Sequence, residues 1–217
     1  MENFINIHSH LFHYEHQVCS IRNLFAHEPV PEKGFFSIGW HPWHLNDFQS
    51  IDIFKKLKEK AAFSQIVAIG ETGLDKAINI DWSKQMDVFR FHVEIAIQQQ
   101  KPLIIHCVRA YAELILFKKQ FKTDIPWIIH GYRGNIQTTI QLLKHDFYFS
   151  FGDSLFEQNS KSVQSLLSLP INRLFIETDE SNCSIKSIYK KAANLLDCSE
   201  RDLVAQISKN FQTCFNL

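Results

Sequence analysis

The chain has 217 residues, enough for one domain with a substantial core. Hydrophobic residues make up 45% and charged residues 21%, the balance of a soluble globular protein rather than a disordered one. Lys plus Arg equals Asp plus Glu at 23 each, which excludes a basic module that coats nucleic acid but not a nucleic-acid substrate met through bound metals.

Short apolar runs alternate with segments of helical period. In chain order the runs are Phe4–Ile7, Val18–Leu24, Phe35–Ile38, Gln65–Ile69, Leu103–Ile105, Trp127–Ile129, Phe147–Ser150 and Arg173–Ile176. Several are nearly continuous in Val and Ile, as strands buried on both faces should be. Between them, Met86, Phe89, Val93 and Ala96 form a helical stripe within about Trp82 to Gln100, which Lys101-Pro102 then stops. Asn135 to Lys144 reads as another helix, with Ile136, Ile140 and Leu143 on one face. Ser199 to Asp202 resembles a capping box ahead of Leu203, Ile207 and Phe211. This order predicts right-handed βαβ units in one α/β domain over residues 1–217. The expected fold is a (β/α)8 TIM-type barrel, distorted, with a reduced first helix because residues 11–34 hold little helical pattern. An open doubly wound sheet competes, but no glycine-rich loop follows the first strand.

The five cysteines, Cys19, Cys107, Cys183, Cys198 and Cys214, are scattered without a CxxC pair, so reduced thiols are expected. The start MENFINIHSH lacks a charged segment followed by an apolar run, and no stretch approaches the roughly 20 apolar residues of a membrane span. A cytoplasmic protein is expected, without membrane attachment, and no feature points to a protein partner.

The polar residues carry the functional signal. His8 and His10 close the first strand in INIHSHL. Glu71 stands in VAIGETGLD, His106 ends PLIIHC, His130 ends PWIIHG and Asp179 ends RLFIETD. In a parallel barrel the C-terminal ends of strands converge on the active-site face. Histidines two apart on a strand point to the same side. Four imidazoles and two carboxylates suit Zn²⁺, Mn²⁺ or Mg²⁺ and exceed what one tetrahedral ion needs, so two divalent ions are expected. Such a pair activates a water for hydrolysis of a phosphoester, amide or lactone, among which spacing does not choose.

The stretches INIHSHL, SIGWHPW, VAIGETGLDK, KPLIIHC, IIHGYRG, FYFSFG and LFIETDES resemble the TatD family of metal-dependent deoxyribonucleases, within the amidohydrolase-like barrels. They follow the family's order over essentially the whole chain, with Asn210 and Phe215 matching its closing pattern. The resemblance implies that His8, His10 and Asp179 hold one metal, His106 and His130 the other, and that Glu71 bridges them. It also implies a general-base role for Asp179, catalysis by Asp179 and Glu71, and exonuclease action on DNA ends. Departures from the family pattern are Asn6 for Asp, Val108 with Arg109 one position later than the usual Arg, Arg133 for Ser or Thr, and Glu180-Ser181-Asn182 where Pro and a long loop are usual.

Arg133, His41 and Arg109 are the candidate substrate contacts; each has a plainer reading as a surface pair, a loop-packing residue and a helix start. Asp75 is expected to buttress the Glu71 loop, and Cys107 to be a buried thiol. His13, His16, His27, His44, His92 and His145 lack a ligand context, and Lys55, Lys56, Lys58 and Lys60 read as a solvated helix face. The reading that follows is a metal-dependent phosphodiesterase. Its rivals are a two-metal hydrolase of a small amide, lactone or ester and a non-catalytic metal-binding protein.

Overall fold

In a computed structural model of the chain, residues 3–11, 15–47 and 52–215 are described; His13 lies outside them. Eight strands, β1 (Phe4–Ser9), β2 (Val18–Phe25), β3 (Phe35–Gly39), β4 (Ile66–Asp75), β5 (Leu103–Val108), β6 (Trp127–Ile129), β7 (Phe147–Phe151) and β8 (Leu174–Ile176), form one sheet in sequential order. The helices are α1 (Asp52–Ala61), α2 (Trp82–Gln99), α3 (Tyr111–Phe121), α4 (Ile136–Leu143), α5 (Lys161–Ser168), α6 (Ile185–Leu195) and α7 (Glu200–Phe215). Parallel strands with helical crossovers from β3 onward are the (β/α)8 class expected from the sequence. Among the described residues no helix joins β1 to β2 or β2 to β3, so the expected shortening affects two crossovers.

The chain packs as two compact units, residues 1–22 with 129–217 and residues 23–128. In the first, β1 pairs with β2 from Phe4↔Val18 to Ser9↔Arg22, and β7 with β8 from Phe149↔Leu174 to Phe151↔Ile176. An isolated bridge, Ser9↔Asp179, links the end of β1 to the segment after β8. Two buried polar side chains fasten helices to this sheet. The Tyr189 hydroxyl of α6 donates to the Ile5 carbonyl (3.0 Å) and accepts from its N–H (3.2 Å). The Asn210 amide of α7 donates to the carbonyls of Ile171 and Leu174 (2.9 and 2.8 Å). Asn210 thus has a structural reason for its place in the closing pattern. At the start of α7, Ser199 Oγ accepts from the Asp202 N–H (3.1 Å), the cap expected there.

In the second unit β4 is buried along its whole length and flanked by β3 and β5. The sequence suggests a strand ending at Ile69. The observed strand runs on to Asp75, with a register shift between Ile69 and Thr72. Gly70 and Gly73 permit this continuation, both at positive φ (143° and 159°). A Cβ on Gly70 would lie 2.2 Å from the Ile104 carbonyl oxygen, and one on Gly73 1.8 Å from that of His106. β4 therefore presses against β5 as no side chain would allow. α2 begins at Asp81, whose carboxylate accepts from the Lys84 N–H (2.8 Å), and ends at a left-handed Gln100 before Pro102. Its Phe89 packs edge-on against Phe117 and Trp127 at 5.1 and 5.8 Å. Of the lysine run on α1, Lys55, Lys56 and Lys58 are exposed, but Lys60 donates to the carbonyls of Ala26 and Glu28 (2.8 and 2.6 Å) and is no solvated residue.

His92, on the apolar stripe of α2, is fully buried. Its Nε2 accepts from the Trp40 N–H (2.9 Å), so the ring proton sits on Nδ1, which donates to the Val88 carbonyl (2.8 Å). Burial pushes this imidazole down to about 4, against the opposing pull of Val88. The unfolded chain, near 6.5, takes up a proton that the folded chain refuses. Stability should therefore fall as pH drops from about 6.5 to about 4, by up to about 3 kcal/mol from this group alone. Denaturant titrations at pH 7, 5.5 and 4.5 check this. His92→Gln should lose the His92 share of the acid slope, and an unchanged slope would contradict the assignment.

Candidate metal centre

In the first unit the candidate ligands gather at the C-terminal ends of β1, β6 and β8. His8 is fully buried and His10 partly so, and their rings stand 5.0 Å apart, edge to face. Both Nε2 atoms lie 3.6 Å from Asp179 Oδ1. The ring of His130, the residue after β6, is 4.4 Å from that of His8. The Asp179 N–H donates to the His8 carbonyl (3.0 Å), and its own carbonyl accepts from the His10 N–H (3.1 Å). Its backbone is left-handed, φ 53°, a conformation Asp and Asn tolerate better than most residues. The same backbone bonds that join the ends of β1 and β8 therefore place the carboxylate between two imidazoles.

Behind this cluster sits Glu177, fully buried and not singled out from the sequence. Its Oε1 accepts from the Gly131 N–H (2.6 Å) and lies 3.4 Å from His130 Nδ1. Burial alone would push this carboxyl up. The neighbouring His130 and His8 imidazoles outweigh it and hold Glu177 below the ordinary carboxylate range. With Nδ1 turned toward Glu177, His130 has Nε2 on its opposite edge, the arrangement by which a carboxylate orients a ligating histidine. Asn6, where the family has Asp, donates through Nδ2 to Thr178 Oγ1 (2.9 Å) and accepts from the Thr178 N–H (3.0 Å). The amide satisfies the segment after β8 without a charge.

In the second unit a corresponding cluster gathers His41, just past β3, Glu71, midway along β4, and His106, within β5. Glu71 is buried; its Oε1 is 3.1 Å from His41 Nε2 and 3.3 Å from His106 Nδ1. His41 Nδ1 accepts from the Trp43 N–H (3.2 Å), which puts the imidazole proton on Nε2, facing Glu71. The Glu71 N–H donates to Asn23 Oδ1 (2.6 Å), and Asn23 also accepts from the Ser37 hydroxyl (3.0 Å). The other side of His106 belongs to Asp75. His106 Nε2 is 3.2 Å from Asp75 Oδ2, an oxygen that also accepts from the Trp43 indole (2.8 Å). Burial pushes the Asp75 carboxyl up, but the bonds from His106, Trp43 and the Ala77 N–H prevail and hold it at about 2. Buried Gln85 clasps the Asp75 backbone, accepting from its N–H (2.8 Å) and donating to its carbonyl (3.1 Å). Asp75 thus buttresses His106 rather than the Glu71 loop.

Each unit holds three residues whose ligand atoms lie within 4.8 Å of one another: His8, His130 and Asp179 in one, His41, Glu71 and His106 in the other. Imidazole nitrogens with one carboxylate in each set are donors that divalent zinc or manganese accepts. His41 stands as close to Glu71 as His106 does, at 3.1 against 3.3 Å, but with its Nδ1 accepting from Trp43 and its proton on Nε2 it is the less ready donor to a metal. Cys107 is buried, and burial raises its thiol, as expected of an inert core cysteine. Arg133 is exposed and pairs loosely with Glu157 (3.4 Å), a contact of little energetic weight. Arg109 stands exposed just past β5, at φ 56°.

The family model described as TatD related DNase matches residues 7–216. The chain belongs to the TatD family. Among its curated relatives, an uncharacterized metal-dependent hydrolase of Buchnera aphidicola subsp. Acyrthosiphon pisum is 33% identical over 153 residues, covering 67% of this chain and 58% of that protein. The uncharacterized metal-dependent hydrolase YabD of Bacillus subtilis is 32% identical over 163 residues, covering 71% and 62%. The chain thus spans about three-fifths of the length of these relatives. The crystal structure of YJJV, a TatD homolog from Escherichia coli, superposes with a TM-score of 0.84 at 19% identity, covering 99% of this chain and 98% of that one. This supports the TIM-type barrel class. Membership places the chain in a family of metal-dependent hydrolases. No helix among the described residues is long and apolar enough to cross a membrane.

Proposed function

We propose that the chain is a phosphodiesterase that uses two divalent ions to release nucleotides from DNA ends. The observation that carries this reading is the presence of two histidine–carboxylate clusters, one per unit, which together hold five of the six expected ligands (His8, His130, Asp179, Glu71 and His106) and His41 besides. Bound divalent ions would polarise the phosphate and make a water more acidic. In this reading Glu71 would help to hold the ions, as the family resemblance implies. Asp179 Oδ1, beside His8 and His10, is the acceptor for the proton of the attacking water. Glu177 and Asp75 fix the orientation of His130 and His106. Arg133, Arg109 and His41 are the groups proposed to hold substrate phosphates, with Arg133 exchanging Glu157 for the substrate. The family's description as TatD related DNase supports a DNA substrate.

The test is release of nucleotides from end-labelled single-stranded DNA by metal-stripped protein, with Mg²⁺, Mn²⁺ or Zn²⁺ restored in turn. Release should depend on the added metal and disappear in His106→Ala, which removes a ligand from the second cluster. Absence of release with metal demonstrably bound would turn the assignment toward a small amide, lactone or ester.

A further inference from the structure

Beside the second cluster lies a cavity of about 370 Å³ walled by Phe25, His27, Trp40, His41 and His44. Its volume is at the lower end of small-ligand sites, about 300–1,000 Å³. Among the described residues every wall is an aromatic or imidazole ring, and no lysine, arginine or carboxylate lines it. The rings of Phe25 and His27 are nearly parallel, 10° apart with centroids at 5.8 Å, while His44 meets Phe25 at 87° and 5.4 Å. The inner walls are held in place by backbone bonds. The Trp40 indole donates to the His44 carbonyl (3.0 Å), and the Trp40 N–H to buried His92.

These walls select a class of ligand. The uncharged rings of these described walls offer little to an isolated phosphate, which wants a cation or several N–H donors. Flat π-surfaces at right angles fit a planar ring that stacks on one wall and meets the edge of the other. Imidazoles donate or accept at their edges, which suits a ring with a polar rim and not an aliphatic chain. His41 is common to this cavity and to the Glu71–His106 cluster, with its Nε2 3.1 Å from Glu71 Oε1. Whatever occupies the cavity sits one imidazole away from the cluster.

We infer that this cavity receives the nucleobase of the nucleotide whose phosphate is processed at the Glu71–His106 cluster. The inference rests on the phosphodiesterase reading and adds a base-recognition site to it. Stacking on rings tolerates any base, so the site would grip a terminal nucleotide without reading its identity.

Binding to the metal-free full chain tests this apart from catalysis. Thymidine 5′-monophosphate and base-free deoxyribose 5-phosphate are titrated while the fluorescence of cavity-lining Trp40 and the imidazole NMR signals are followed. The variants are His27→Ala with His44→Ala, whose side chains are exposed, and Phe25→Leu, which keeps bulk but removes the π-face. Thymidine 5′-monophosphate should bind more tightly than the base-free sugar phosphate and weaken about tenfold in the variants, the scale of one lost stacking contact. Affinity for the sugar phosphate should not change, and matching melting curves would exclude a folding defect. Equal affinities for the two ligands, no binding of the nucleotide, or variants indistinguishable from the parent would overturn the base site. The two proposals fail separately. Base-dependent binding without DNA hydrolysis would leave the base site and remove the phosphodiesterase. Hydrolysis that ignores the terminal base would do the reverse.

Discussion

Asp179→Asn is expected to leave the protein folded and to lower turnover by about a hundred- to ten-thousandfold, the usual range for loss of a positioned proton acceptor. The substitution is unusually clean at this site. The left-handed backbone at φ 53° suits Asn as well as Asp, and the backbone bonds of residue 179 to His8 and His10 are left in place by the substitution. The volume is unchanged, while the charge between the two imidazoles and the capacity to take a proton are removed. Thermal melting of metal-free protein should shift little, whereas kcat measured at saturating metal should collapse. Full activity with metal bound would assign the proton to another group.

Glu177→Ala should destabilise the fold by about 3–5 kcal/mol. It deletes a fully buried carboxylate that faces His130 Nδ1 and strands the Gly131 N–H that Oε1 receives. Glu177→Gln separates the two contributions. Its amide oxygen can still accept from Gly131, so most stability should return. The lost charge beside His130 should instead weaken metal affinity or activity about 10–100-fold. Denaturant unfolding of the metal-free protein, paired with metal titration, reads both quantities. A Glu177→Ala variant as stable as the parent would show that the carboxylate contributes nothing to the fold.

Much of the first cluster and part of the second was legible in the sequence because ligand-type residues interrupt apolar strands at their C-terminal ends. INIHSH and WIIH announce both a strand and the place where its chemistry begins, and β6 follows Trp127–Ile129 as the apolar run suggests. Residues that act through another residue were harder to see. Glu177 lies two positions before Asp179, so strand alternation offered a hint, but its burial depends on His130 arriving from a distant segment. His92 carried no ligand context in the sequence, and its bond to Trp40 links segments 52 residues apart and has no local signature. The extension of β4 through Gly70 and Gly73 was missed because isolated glycines normally weaken a strand. Here the neighbouring strand needs the missing side chains.

That requirement bears on how this region tolerates mutation. Around Glu71 two unlike pressures meet within four residues. Glu71 is constrained by what it can bind, and Gly70 and Gly73 by backbone atoms of β5 that would occupy the space of any Cβ. A full substitution scan would find all three positions intolerant, yet only for Glu71 would the intolerance report on chemistry. At the glycines, loss of soluble protein would accompany loss of function. At Glu71 folded but inactive protein would accumulate, so abundance and activity measured together would separate the scaffold of the site from its working groups.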